Sequence, residues 1–165
     1  MKNVIITCML LISVLCNAQQ LKKFNIENAA SSSESVIISP KKGVKHAPHA
    51  KMELFTLKDK DSYFKIVNQT VRKVFPFNKI PEELKKAIIT IFFNPKGQVT
   101  YYEILTNKKI LDYTTEEEWE MFTRELKKIN LLPYVQLEKS GSQAYYMIGI
   151  PIVNDSELKE RGVIL

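Results

Sequence analysis

The chain has 165 residues and a formal net charge of +6, a one-domain length with a modest basic excess. Lysine and arginine are spread along the sequence. This favours a solvated surface over a nucleic-acid footprint and leaves open attraction to an acidic membrane or a polyanionic envelope polymer.

The first predicted element is a secretory signal peptide over residues 1–18. Lys2 supplies its positive charge, an apolar core runs from Val4 to Cys16, and small residues predict cleavage after Ala18. The protein is therefore expected to be exported, periplasmic or secreted, with no membrane-spanning segment after cleavage. Two alternatives stay open: a lipid anchor on Cys16, and retention of the apolar run as an anchor.

Removal of the signal peptide also removes both cysteines of the chain, Cys8 and Cys16. The mature protein is therefore expected to hold its fold by its core alone, without disulfides, and to have no thiol chemistry.

Residues 19–50 are predicted to form a flexible tether. They contain a low-complexity run at residues 29–33 and the turn-forming Pro40, Gly43 and Pro48. One apolar run, Val36–Ile38, is able to pair as an edge strand. The segment otherwise has too few large apolar side chains to offset the entropy of ordering it. Limited proteolysis is expected to trim it.

An ordered domain is predicted over residues 51–154, beginning with a helix capped by Asp61. Pro76 ends this helix near Phe75, because proline has no amide to give a helix interior. Apolar side chains recur at helical spacing before that point, at Tyr63, Phe64, Val67, Val71 and Val74.

A β-hairpin is predicted next. Residues 87–94 are β-branched and aromatic, residues 98–105 alternate polar and apolar, and Gly97 supplies the positive φ of the turn between them.

A second helix, a turn and a third strand complete the domain. Thr115 and Glu118 have capping-box spacing. A turn is predicted at residues 140–142, a strand over 143–153, and a frayed C-terminal tail over 155–165. The apolar stripe of the second helix is Trp119, Phe122, Leu126 and Ile129.

This order of helix, strand, strand, helix, strand predicts an α+β two-layer sandwich, in which a three-stranded antiparallel sheet is packed by two helices. The third strand is expected beside the first. The second and third strands are then the two edges of the sheet.

The order of elements over residues 63–153 resembles the C-terminal domain of the TonB energy-transducer family. The resemblance rests on Val74-Phe75-Pro76 at a helix end, Gly97-Gln98-Val99 in a hairpin, and Ile150-Pro151-Ile152 in a closing strand. Leu131-Leu132 departs from the family's usual Trp, and the family's long Pro-rich spacer has no counterpart. The resemblance therefore implies the domain alone. In that family the last strand catches an extended segment of an outer-membrane receptor.

These features predict a non-enzymatic interaction module of the bacterial cell envelope, without a cofactor or a metal and with its oligomeric state left open. A protein partner, such as an outer-membrane receptor segment, is expected to add a strand to the last strand. Tyr145, Met147 and Gly149 are the predicted recognition residues. The outward-facing member of each tyrosine pair, at 101–102 and 145–146, suits a contact surface, and ordinary β-propensity explains the same residues equally.

The alternative prediction is a small-ligand binder or an enzyme with a site between helices and sheet, for which Tyr102, Glu103 and Arg124 are the polar candidates. His46 and His49 are interpreted as an incidental pair, since no cysteine remains to complete a zinc site. The sequence has no nucleophile elbow, phosphate-binding glycine loop or metalloprotease motif.

Overall fold

The computed structural model describes residues 21–30, 32–46, 48–138, 144–153 and 155–162. The predicted signal peptide, the lipidation candidate Cys16 and the predicted turn at residues 140–142 lie outside these ranges. Within them, no helix combines the length and apolar character needed to cross a membrane.

The described chain contains eight strands and three α-helices. The helices are α1 Lys60–Val74, α2 Glu116–Leu126 and α3 Asp155–Glu160. Short 3-10 turns occur at Glu82–Leu84, Lys108–Asp112 and Leu132–Tyr134. The strands are β1 Phe24–Asn28, β2 Ser35–Pro40, β3 Lys51–Met52, β4 Phe55–Leu57, β5 Ala87–Phe93, β6 Val99–Asn107, β7 Val135–Leu137 and β8 Ala144–Ile152.

Six of these strands form one mixed sheet in the order β1-β2-β6-β5-β8-β3. Neighbouring strands are antiparallel except β3, which runs parallel to the start of β8. β4 and β7 form a separate antiparallel pair. The predicted three-stranded antiparallel sheet with two helices is therefore wrong. β3, β4 and β7 are only two or three residues long, too short to show a strand period in the sequence.

The predicted tether contains a hairpin of the main sheet. β1 and β2 pair along their whole length, and β2 then pairs with β6, where Ile37 lies opposite Leu105. Ile38 is 0 % exposed, and the Phe24 ring lies 6.1 Å from the Trp119 ring. The flexible-tether prediction for residues 19–50 is wrong for this part. The few apolar side chains suffice because β6 and α2 supply the surface that buries them.

The first helix follows its predicted apolar stripe, and every member of that stripe is buried. The helix gives way to extended backbone at Phe75, as predicted. Its N-cap differs from the prediction, because Asp59 and not Asp61 accepts the hydrogen bond from the Ser62 amide, at 2.9 Å. Both aspartates are chemically able to cap, and Asp59 is the one with extended backbone angles.

Two other local predictions are confirmed. Gly97 has a φ of +76° in the turn between β5 and β6. The α2 capping box is complete, since Thr115 accepts from the Glu118 amide at 3.3 Å and Glu118 accepts from the Thr115 amide at 2.8 Å.

The predicted C-terminal tail over residues 155–165 contains helix α3 in its described part. Leu158 on this helix is fully buried, and the Arg161 guanidinium lies 5.0 Å from the centre of the Phe64 ring. The packed unit therefore extends on both sides of the predicted domain at residues 51–154. A single leucine in a polar segment gives no periodic signal.

Glu125 joins α1 to α2 electrostatically. It accepts a hydrogen bond from Lys73 at 2.8 Å and also pairs with Lys128. Hydrogen bonds from Lys128 and Lys73 lower the pKa of this carboxyl from 4.5 to about 2.

A Glu125→Gln variant is therefore expected to lose less stability in acid than the wild type. A depressed folded-state pKa contributes stability that is present above pH 4.5 and is lost as the pH falls towards 2. Urea unfolding across this window measures the difference. Identical acid slopes for both proteins would contradict the assignment.

Candidate functional site

The two faces of the main sheet differ in what packs on them. One cavity is lined by Val71 of α1, Trp119 of α2, and Ile89 and Ile104 of the central strands, so both long helices pack on the same face. The opposite face, called the open face below, carries the alternate side chains. Those include Ile88 and Met147, which are 49 % and 42 % exposed.

Residues 41–46 and 48–50, called the crossing segment below, lie between β2 and β3 across part of the open face. The Lys45 carbonyl accepts from Thr100 Oγ1 at 3.2 Å, and its ammonium pairs with Glu103 at 2.5 Å. The same ammonium lies 5.5 Å from the centre of the Phe92 ring. His46 stacks on Tyr145 with 4.5 Å between ring centres. The segment thereby covers the aromatic end of this face.

The outer edge of β8 is only partly paired. The Tyr145 carbonyl accepts from the Glu53 amide at 3.0 Å, so the backbone groups of Tyr145 point away from β5 and towards β3. Strand alternation turns those of Met147 and Gly149 to the same outer side. β3 ends at Met52. No described residue pairs with Met147 or Gly149 on that side.

Asn68 of α1 closes the far end of this edge. Its side chain is fully buried, donates to the Pro151 carbonyl at 3.2 Å and accepts from the Val153 amide at 3.3 Å. Pro151 has no amide of its own to leave unpaired. The open edge, defined as the outward backbone of Met147 and Gly149, is thus bounded by Tyr145 and Pro151.

Exposed apolar side chains lie in β3 and just after it, next to the start of the open edge. Met52 and Leu54 are 55 % and 67 % exposed, and Met52 is the register partner of Tyr145. At Gly149 a Cβ atom would meet only Ile88 Cγ2, at 4.0 Å, so the surface there is shallow and unobstructed. Methionine and leucine at such a surface suit a hydrophobic partner, and methionine adapts to irregular shapes.

The predicted recognition residues Tyr145, Met147 and Gly149 lie together along the outer edge of β8. Tyr145 differs from Met147 and Gly149, because its backbone pairs with β3 and its ring stacks against His46. Tyr101 is likewise buried below Gly43 and Lys45. The outward tyrosines are therefore packed under the crossing segment instead of forming a free surface.

The sequence reasoning missed Met52 and Leu54. The only signal for them was two large apolar residues in an otherwise polar stretch before α1.

The polar residues of the alternative site do not converge. Tyr102 faces α2, where its hydroxyl lies 2.7 Å from Thr123 Oγ1, and burial raises the pKa of this phenol. Glu103 is on the open face with Lys45, and Arg124 is exposed on α2. A sheet separates Glu103 from Tyr102, so these three side chains form no common site.

The cavity between helices and sheet is small. Its volume is 40 Å³, enough for a few water molecules and far below the several hundred Å³ of a typical small-molecule site. Its polar Thr114 is already engaged, since its hydroxyl accepts from Trp119 Nε1 at 3.0 Å and donates to the Ile110 carbonyl at 2.9 Å. In the described chain, no three His, Cys, Asp or Glu side chains group as metal ligands would.

No protein-family model matches the sequence, and no curated protein matches it. Among solved structures, the fold is similar to the crystal structure of a DUF5043 family protein from Bacteroides uniformis. The TM-score is 0.53 at 12 % sequence identity, over 82 % of this chain and 93 % of that chain. The resemblance to the TonB C-terminal domain stays a prediction from sequence. What the comparison shows is the fold, which this chain shares with the DUF5043 family protein.

Proposed function

We propose that the protein is a non-enzymatic interaction module of the cell envelope, which binds an extended segment of a partner protein by strand addition to β8. The observation that carries the proposal is the open edge at Met147 and Gly149. Its outward amides and carbonyls have no partner in the described chain. The envelope location rests on the signal peptide predicted for residues 1–18.

The geometry of β3 supports this mode of binding. β3 already pairs with this outer edge of β8 at Ala144 and Tyr145, directly before Met147 and Gly149. A partner strand would therefore extend the row of strand pairing that β3 begins. Gly149 has no side chain to hold a partner backbone away, and glycine within a strand often marks a close backbone approach. The partner's alternate side chains would then meet the apolar Met147 and Met52.

The open edge is too short to bind tightly by backbone hydrogen bonds alone. Asn68 and Pro151 end it on one side and β3 ends it on the other, which also limits pairing between copies of the chain. Side-chain contacts must therefore supply much of the affinity. We expect the partner segment to carry apolar residues at alternate positions, matched to Met52, Leu54 and Met147.

Replacement of Gly149 by proline is expected to weaken binding of such a segment about tenfold, because it removes one outward amide donor. The outward amide of Gly149 makes no bond within the described chain, as at Pro151 two residues on, so proline at position 149 removes no hydrogen bond of the fold. Gly149→Ala is the matched control, since it keeps the amide and its Cβ meets only Ile88 Cγ2 at 4.0 Å.

The measurement is a titration of the labelled protein with extended peptides from envelope proteins, followed by amide chemical shifts. Shifts at Met147 and Gly149, with affinity kept by the alanine variant and lost by the proline variant, support the proposal. Equal binding by both variants, or shifts confined to other surfaces, would refute it.

A further inference from the structure

A basic cleft lies at the opposite end of the sheet from β8. It runs between the start of β1, the end of β2 and helix α2, and its volume is 530 Å³. Glu120 is the acidic residue of its lining, and Glu116 and Glu117 at the start of α2 also act on Lys23. Its walls carry six cationic side chains: Lys22, Lys23, Lys41, Lys42, Arg124 and Lys127.

The β1–β2 hairpin brings two of the basic segments together. Phe24 is the register partner of Pro40, and the Lys41 amide donates to the Lys23 carbonyl at 2.9 Å. The Lys23 amide in turn donates to Glu116 at 2.6 Å, which ties the hairpin to the first turn of α2. Three segments that are distant in sequence thus place their charges around one cleft, and the basic excess is not spread evenly over the surface.

Most of this charge is not neutralised within the protein. Glu120 pairs with Lys23, and the Lys41 ammonium donates to the Lys22 carbonyl at 2.7 Å. In the described part of the chain, Lys22, Lys42 and two cations of α2, Arg124 and Lys127, have no acidic partner. Their mutual repulsion disfavours this arrangement, and a bound anion would relieve it.

We infer that the cleft binds an acidic glycan, a saccharide chain that carries carboxylate, sulfate or phosphate groups. Its volume lies in the range of sites that enclose a small ligand or a short stretch of polymer. The planar guanidinium of Arg124 is suited to an oxyanion by paired hydrogen bonds, while the lysines act as point charges. The aliphatic stems of the exposed lysines offer apolar surface to the C–H faces of a sugar ring.

The shape of the cleft favours a single chain over a broad anionic surface. A bilayer or a folded acidic protein presents its charges on a plane and does not enter between the hairpin and α2. Export, as predicted for this chain, would bring the cleft into contact with envelope polysaccharides. The cleft and the open edge belong to different ends of the sheet order, so the inference shares only the predicted export with the proposed function.

The test is calorimetric titration of the full mature chain with a sulfated heparin hexasaccharide, an oligogalacturonate and a neutral dextran oligosaccharide. Wild-type protein is expected to bind the acidic saccharides, to bind more weakly as salt is raised, and to ignore dextran. The variant Lys42→Glu with Arg124→Glu is expected to lose about tenfold or more in affinity.

The matched control is Lys65→Glu with Lys96→Glu. It makes the same change in net charge at two exposed positions outside the cleft, and we expect about wild-type affinity from it. Equal loss of affinity in both double variants would show that the effect depends on net charge alone, and it would overturn the inference. So would failure of the acidic saccharides to bind at low salt, or binding to anionic lipid vesicles that the saccharides do not displace.

Discussion

An Ile38→Ala variant is expected to lose about 3 kcal/mol of its free energy of unfolding. Ile38 is 0 % exposed in β2, opposite Ile26 of β1 and Ile104 of β6. Truncation removes buried methyl groups and leaves a cavity between the sheet and the helices that cannot fully collapse. Because small domains are stable by only about 5–15 kcal/mol, this change would move the unfolding midpoint clearly.

Ile37→Ala is the matched control. Ile37 directly precedes Ile38 in β2 and points to the open face, where it is half-buried. We expect it to cost about 1 kcal/mol or less. Equilibrium unfolding in urea, with the slope checked for each variant, measures both changes. Equally small losses would mean that residues 35–40 do not belong to the folded core.

Gly97→Ala is expected to cost about 3 kcal/mol. The residue has a φ of +76°, which strains any other residue by about 1 kcal/mol. A Cβ atom there would also lie 2.3 Å from Asn130 Oδ1 and 2.6 Å from the Leu132 nitrogen. Those atoms are fixed, since Asn130 Oδ1 accepts from the Leu132 amide at 3.0 Å and the Leu131 amide donates to the Gly97 carbonyl at 2.9 Å.

Gly162→Ala separates the cost of backbone strain from the cost of the steric clash expected at Gly97. Gly162 has a φ of +65°, and beyond its chain neighbours no atom of the described residues lies within 4 Å of its Cβ position, so only the backbone cost of about 1 kcal/mol is expected. Thermal unfolding of the two variants gives the difference. If both lose the same amount, the contact between the β5–β6 turn and the loop after α2 has no energetic weight.

Local features of the fold were predictable from the sequence because the residues that form them are adjacent. The β5–β6 turn follows from Gly97, the start of α2 from Thr115 and Glu118, and the end of α1 from Pro76. The place of β2 inside the sheet was not predictable in this way. Val36–Ile38 is an apolar run in polar surroundings, and it becomes an inner strand only because β6 offers a complementary edge.

The two candidate sites differ in the same way, since the open edge was predictable from neighbouring residues and the basic cleft was not. Alternation along β8 was enough to place Met147 and Gly149 on one outward line. The basic cleft was not predictable, because Lys41–Lys42 and Lys127–Lys128 appear in the sequence as separate solvated runs. Only the hairpin contact with α2 brings Lys42 and Arg124 to one cleft.

The order in which the strands are synthesised has a consequence for the rate of folding. The first three strands of the sheet are synthesised early, but β2 needs β6 and β3 needs β8, the last strand of the described chain. Until residues 144–152 exist, the sheet cannot be completed, and closing such long loops makes folding slow. For the export predicted from residues 1–18, this delay would be an advantage, because the chain would stay unfolded until β8 has been made.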